Sequence, residues 1–363
     1  VTPFAIILAA GGTGGHLYPA EALALELLNR GHQVIIITDK RGSAFQNLGD
    51  KVRIERVNAA TFKPGLASKI KSVMDICIGI AQAALLIKKY RPALIVGFGG
   101  YPSFPTVFAG QRMGCSTVIH EQNAILGKAN FWLADASSRI AASLPETKGI
   151  KPANAGKVVV TGNPVRAGIC AARDKAYPPL TLTGNFEIFI TGGSQAARIF
   201  SEVVPEAVGL LPGDIKARLH LVHQCREPDI QAAAEKYRKA GVKAEIKPFF
   251  HDMPERLSAC HLFIGRSGAS TVAEIAVVGR PAIFVPFQHA DRQQFLNAEL
   301  LAAKDGAWVI PQEKFTAETL ARQIEHLAKN PSILENAAKA AKSCGQPEAV
   351  RKLADAIEER LKT

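Results

Sequence analysis

Short, unbroken apolar runs recur along the chain, each followed by glycine or polar residues and often by an amphipathic stretch. In the first half they are Phe4–Ala9, Gln33–Thr38, Val52–Val57, Ala93–Val96, Thr117–His120 and Arg139–Ala142, with Val158–Val160 after them. In the second half they are Phe186–Ile190, Arg218–His223, Lys243–Lys247, His261–Ile264, Ala282–Val285 and Ala307–Ile310. Runs of this length with few polar interruptions predict strands covered on both faces, as in parallel sheets. Helical stretches such as Pro19–Arg30 lie between several of them, which implies right-handed crossovers. The turn Thr161-Gly162-Asn163-Pro164 marks a boundary. At 363 residues the chain is long for one core and comfortable for two. The fold class predicted is α/β, with two Rossmann-like parallel-sheet domains facing a cleft. The domains are expected over 1–163 and 164–340, and the charged, amphipathic 341–363 as a helical tail packing back on the first.

Two of the runs end in glycine-rich loops at corresponding points of the two halves. The first is Ala10-Gly11-Gly12-Thr13-Gly14-Gly15-His16 and the second Thr191-Gly192-Gly193-Ser194-Gln195. Each reads as a buried strand, a tight turn and a helix start, a unit that presents backbone N–H groups to a phosphate or sugar. Two such units in one chain favour an enzyme joining two substrates over a module that binds one ligand. As a dinucleotide fingerprint, Gly-x-Gly-x-x-Gly over 12–17 fails at Leu17, although Asp39 closes the second strand where a ribose partner would stand.

Charge narrows the partners. The chain carries 44 Lys and Arg against 32 Asp and Glu, a net charge of +12, which attracts anions. No nucleic-acid module is recognisable, so no nucleic acid is expected, and a lipid surface or diphosphate substrates remain. The six cysteines are scattered without Cys-x-x-Cys or zinc spacing, so they are expected to be reduced core residues, and no Asp-x-Asp signals a metal. Val1–Ala10 lacks a basic leader region and is expected to be a first strand. Pro92–Gln111 is broken by glycine and proline, and Ile76–Ile87 is too short to cross a bilayer, so no membrane span is expected. Over Leu66–Lys89, however, Leu66, Ile70, Val73, Cys77, Ala81 and Ala84 form one stripe that Ile76, Ile80, Ala83 and Ile87 widen, with Lys69, Lys71, Lys88 and Lys89 beside it. Such a helix is either buried beneath a neighbour or docked on an anionic bilayer.

Other segments carry chemistry. Arg266–Glu274 reads as a strand end, a Ser-Gly turn and a helix start; N–H groups at Ala269–Val272 suit a diphosphate and Glu274 suits ribose hydroxyls, against the plain alternative of a helix cap. The consecutive amides Gln293 and Gln294 offer donors and acceptors to sugar hydroxyls, or simply open a helix. His16, just past two glycines, is a candidate general base or a polar helix-start residue.

Taken in order, Gly11–His16, Gly97-Phe98-Gly99-Gly100-Tyr101-Pro102, His120-Glu121-Gln122-Asn123, Thr161–Arg166, Gly192–Gln195, Arg266–Glu274 and Pro286–Gln294 span nearly the whole chain. In that order and spacing the sequence resembles the bacterial peptidoglycan N-acetylglucosaminyltransferases of the MurG type. The resemblance implies a GT-B fold and inverting transfer of GlcNAc from UDP-GlcNAc to the C4 hydroxyl of undecaprenyl-diphospho-MurNAc-pentapeptide, without cofactor or metal. It implies a UDP-GlcNAc site at Thr13, Gly14, Gly15, Asn123, Arg166, Ser194, Phe250, Ala269, Ser270, Thr271, Val272, Ala273, Glu274, Gln293 and Gln294. The Thr13–Gly15 turn would also cradle the acceptor diphosphate, and Arg166 would neutralise the leaving UDP. His16 and Glu121 are the implied catalytic residues, unranked between base and supporting partner. The implied location is peripheral, on the cytoplasmic face of the bacterial inner membrane. Two departures stand out: Phe250 replaces the usual aliphatic residue, and Cys225-Arg226 replace a small residue and a glycine.

Overall fold

The computed structural model describes residues 3–39, 42–61, 65–193, 196–288 and 292–362. Its contacts divide the chain into two compact units, Val1–Arg166 with Pro347–Thr363, and Ala167–Gln346. These divisions fall a few residues beyond the 163/164 and 340/341 breaks read from turn chemistry, and they place Arg166 in the first unit.

Among the described residues, the first unit holds a seven-stranded parallel sheet. Its strands are β1 Ala5–Ala9, β2 Gln33–Thr38, β3 Arg53–Arg56, β4 Leu94–Gly97, β5 Ser116–Glu121, β6 Arg139–Ala142 and β7 Val158–Val160, in the order β3-β2-β1-β4-β5-β6-β7. The apolar runs are uninterrupted because both faces are covered. Side chains alternate across the pleat, so Ile6 and Leu8 enter one core with Leu17, Leu23 and Leu27 of the Gly14–Asn29 helix. Ile7 and Ala9 enter the other, with Ala83, Ile87 and Val107. All four of these β1 side chains are fully buried, and burying an aliphatic side chain of Leu or Ile size stabilises by about 1.5–3 kcal/mol.

The second unit holds, among the described residues, a six-stranded parallel sheet. Its strands are β8 Phe186–Thr191, β9 Leu219–Gln224, β10 Lys243–Lys247, β11 Leu262–Gly265, β12 Ala282–Phe284 and β13 Ala307–Val309, in the order β10-β9-β8-β11-β12-β13. The predicted α/β class with two Rossmann-like parallel sheets is therefore what the chain forms.

The Ala349–Leu361 helix belongs to the first unit, where Leu353, Ala354 and Ile357 complete the core beneath the Gly14–Asn29 helix. Arg30 Nη1 reaches Asp355 at 2.6 Å and His32 Nε2 reaches Glu358 at 3.1 Å. Partly exposed pairs of this kind add little, so the apolar burial holds the helix.

The Leu66–Tyr90 helix resolves the two-way reading of its stripe. Ala83 and Ile87 are buried in the first unit's core, and Ile80, Ala84 and Leu86 pack partly against it. Gly79 lets the backbones close, since a Cβ there would stand 1.9 Å from the Asn58 carbonyl oxygen. On the other side Ile70, Val73, Met74, Ile78 and Leu85 are 44–68% exposed. Cys77 is exposed as well, which corrects the expectation that every cysteine is core. A further correction concerns length: Ala67–Tyr90 is long and apolar enough to cross a membrane by length and composition, which Ile76–Ile87 alone did not reveal. As folded, one of its sides is committed to the sheet, so the exposed side alone is available to lipid.

Candidate active site

In both sheets the strand order reverses between two central neighbours, and open α/β sheets bind ligands where the loops leaving such a pair diverge. In the first unit the pair is β1 and β4. The loop after β1 turns at Gly12 with φ +87°, a left-handed conformation that favours glycine, and the helix starts at Gly14 with Thr13 as its N-cap. First-turn N–H groups thus lie at the carboxyl end of β1, where an anion is favoured. His16 occupies this first turn, and its Nδ1 lies 2.8 Å from the carbonyl oxygen of Phe98 in the loop after β4. Gln122 Oε1 lies 3.2 Å from the same nitrogen. Behind the turn, Tyr101 donates its hydroxyl to the Asp39 carboxylate at 2.9 Å.

The end of β5 supplies the next layer. Glu121 is almost fully buried, and its carboxylate accepts four hydrogen bonds. They come from Asn123 N and Nδ2 at 3.0 Å each, and from Gly127 N and Asn130 Nδ2 at 2.8 Å each. Both oxygens are engaged, and the carboxylate ties the 121–130 loop together. Arg166 stands with its guanidinium 4.3 Å over the Tyr18 ring. Burial pushes the nearby Glu21 carboxyl up, against the opposing pull of Arg166.

In the second unit the reversal lies between β8 and β11. The chain leaves β11 through Arg266, Ser267 and Gly268 into the Ala269–Val278 helix, whose N-cap Gly268 provides no side chain of its own. Arg266 is buried between the Phe200 and Phe287 rings, 5.4 and 5.3 Å from its guanidinium, and donates to Val285 O at 2.9 Å. Burial pushes it down to about 10. Ser267 Oγ donates to Gln294 O at 2.8 Å, and Gln294 Oε1 accepts from Phe287 N at 2.9 Å. The first bond joins the start of the Gln293–Ala302 helix to the Arg266–Gly268 turn, and the second joins it to the loop after β12. Glu274 is buried in the second turn of its helix.

The chain matches the glycosyltransferase family 28 N-terminal domain over residues 6–142 and the family 28 C-terminal domain over residues 187–358. It is 49% identical over 353 residues to a UDP-N-acetylglucosamine--N-acetylmuramyl-(pentapeptide) pyrophosphoryl-undecaprenol N-acetylglucosamine transferase of Rhodospirillum centenum, covering 97% of this chain and 93% of that protein. A protein of the same name from Zymomonas mobilis is 44% identical over 353 residues, covering 97% of this chain and 91% of its own. The crystal structure of Acinetobacter baumannii MurG superposes with a TM-score of 0.77 at 29% identity, covering 98% of this chain and 100% of that one. The chain belongs to glycosyltransferase family 28.

Within this family 28 fold, Thr13, Gly14, Gly15, His16, Glu121, Asn123 and Arg166 fall in the first unit. Ala269 to Glu274, Gln293 and Gln294 gather around the second unit's reversal point, joined by the Ser267–Gln294 bond. Ser194 lies outside the described residues. Phe250 is buried, its ring T-shaped to Phe189 at 5.7 Å between centroids. Arg226 pairs with Asp229 at 2.7 Å on the surface. Sequence reasoning gave no role to Gln122, although it sits within a quoted motif; its bonds to Phe98 and His16 join residues far apart in sequence and leave no local signal.

Proposed function

We propose that the chain transfers GlcNAc from UDP-GlcNAc to the C4 hydroxyl of undecaprenyl-diphospho-MurNAc-pentapeptide, with inversion at the anomeric carbon. The observation that carries this reading is the identity of 49% across 97% of the chain to a transferase whose name specifies that reaction. The two glycine-turn sites, one in each unit, agree with a reaction of two substrates. The second unit takes the donor: the Ala269–Val278 helix N-terminus receives the diphosphate, Glu274 the ribose, and Gln293 and Gln294 the sugar hydroxyls. The first unit takes the acceptor, with its diphosphate on the Thr13–Gly15 turn.

His16 is the general base in this reading. Its Nδ1 is engaged by oxygen acceptors, which leaves Nε2 to take the hydroxyl proton. The hydroxyl oxygen then forms its bond to C1 of GlcNAc while the C1–O bond to UDP breaks, and the leaving diphosphate keeps the electron pair. Arg166 offsets the charge growing on it. Glu121, with both oxygens occupied, shapes the loop instead of accepting the proton. At the membrane, the exposed Ile70, Val73, Met74, Ile78 and Leu85 face, with Lys69 and Lys71 at one end and Lys88 and Lys89 at the other, docks peripherally on the anionic cytoplasmic leaflet.

His16→Ala tests the assignment. It should lower kcat by about 10²-fold or more while leaving UDP affinity by calorimetry unchanged. A variant with near-wild-type kcat would reduce His16 to a loop-shaping residue.

A further inference from the structure

The polar groups behind His16 form one continuous chain in which every proton position is dictated by a heavy-atom partner. His120 is fully buried against the Phe98 ring, 5.5 Å between centroids, and its Nε2 lies 3.1 Å from Gly162 O. Burial pushes His120 down to about 4, so it is neutral near pH 7 and carries one N–H. A carbonyl oxygen can only accept, so that N–H is on Nε2 and Nδ1 holds the lone pair. Gln122 Nε2 lies 3.0 Å from His120 Nδ1 and 2.9 Å from Phe98 O. Both are acceptors, so they take the two amide hydrogens and the amide has one orientation. Its Oε1 is thereby turned to His16 Nδ1, at 3.2 Å. With Phe98 O at 2.8 Å, that nitrogen faces two oxygens and must carry the hydrogen. Neutral His16 then has its lone pair on Nε2, on the side bordered by the Gly100 backbone, where a Cβ would come within 3.2 Å of Nε2.

We infer that Gln122, oriented by His120, is a positioning residue that sets the ring angle of His16, whose Nδ1–H tautomer it shares with Phe98 O, and so aims Nε2 at the acceptor hydroxyl. The inference rests on the reading of His16 as base, but its structural content can be tested apart from catalysis. Gln122 is 3% exposed and bonds His16, Phe98 and His120, so it acts through His16. The two histidines are held in opposite tautomers, His120 as Nε2–H and His16 as Nδ1–H. When His16 takes the proton, Nδ1–H is already donated to Phe98 O and Gln122 Oε1, so the imidazolium forms without any rearrangement behind it.

The experiment is a multiple-bond ¹H–¹⁵N spectrum of the full chain with ¹⁵N-labelled histidine, assigned with His16→Ala and His120→Gln. In wild type, His16 should give a protonated-type Nδ1 and an acceptor-type Nε2, with His120 the reverse. A His16 protonated on Nε2, or the same tautomer at both residues, overturns the inference even if no Gln122 variant folds. Gln122→Met keeps the chain length and removes the amide. It should leave the hydrogen on Nδ1, where Phe98 O still accepts it, but free the ring angle and lower kcat roughly tenfold, with UDP affinity and donor KM retained. An unchanged kcat in Gln122→Met, or a loss of UDP affinity as large as the loss of kcat, also overturns it. Failure of the base assignment reads differently: His16→Ala would keep its kcat while the wild-type spectrum still showed the two opposed tautomers.

Discussion

Replacing Glu121 by Gln separates a structural carboxylate from a catalytic one. In the native loop each carboxylate oxygen accepts two hydrogen bonds, Oε1 from Asn123 N and Nδ2, Oε2 from Gly127 N and Asn130 Nδ2. An amide keeps one acceptor oxygen, and whichever way it turns, its NH₂ confronts two donors. Two charge-assisted bonds are lost, each at about 1.5–3 kcal/mol, so the variant should lose about 3 kcal/mol or more. For a domain of this size that corresponds to a fall in Tm of roughly 6–12 °C. Differential scanning calorimetry with a urea titration measures the loss, and kcat/KM across pH is measured below the new transition. The account expects a less stable enzyme whose acidic limb survives. A variant as stable as wild type that has lost the acidic limb would make Glu121 the base and refute the assignment to His16.

Further outcomes follow from the same geometry. Glu274→Ala should weaken UDP and UDP-GlcNAc alike by roughly 1–3 kcal/mol in calorimetry, and unchanged UDP affinity in a folded variant would remove Glu274 from the donor site. Replacing Ile70 and Ile78 by Ser should reduce sedimentation with anionic vesicles, and wild-type binding should weaken with salt; Ile80→Ser, on the packed side, should cost stability instead. Vesicle binding untouched by the Ile70 and Ile78 changes would sink the docking face. His120 ordinarily titrates at 6.5 and is pushed down to about 4 by burial, so the unfolded chain binds the extra proton over that interval. Stability should therefore decline as pH falls from 6.5 through about 4, and His120→Gln should flatten the decline in urea titrations; an equal slope in the variant would contradict the buried neutral state.

The frame of this fold was legible because parallel strands buried on both faces leave unbroken apolar runs. Gln33–Thr38, Arg139–Ala142, Val158–Val160 and Lys243–Lys247 form strands with the limits the sequence predicted, and the others differ by a residue or so at their ends. Glycine loops announced both reversal points for a similar reason, since a tight turn into a helix restricts the residues that can make it. The first helix was read from Pro19 yet starts at Gly14, because it opens within the glycine turn itself. What periodicity could not supply was which apolar face meets the sheet: the Leu66–Tyr90 helix is apolar on both, and only Gly79 against Asn58 decides it. Long-range polar geometry was equally silent. Glu121 was read as a base or a supporting partner, and the motif could not show its donors, two of them from six and nine residues downstream. Of the partners of Gln122, His120 is two residues away, but Phe98 and His16 are 24 and 106 away and could not be read from the motif.

Transfer of GlcNAc to a lipid-linked acceptor can be followed in one assay. Purified protein is incubated with UDP-GlcNAc labelled in the sugar, with and without a lipid-linked muramoyl-pentapeptide acceptor, and the label is followed into lipid, free sugar and nucleotide-sugar fractions. The account predicts label in the glycolipid, one UDP released for each GlcNAc transferred, and neither in the absence of acceptor. Label that stays on the nucleotide as UDP-ManNAc, formed without acceptor, would contradict it and make the chain an epimerase.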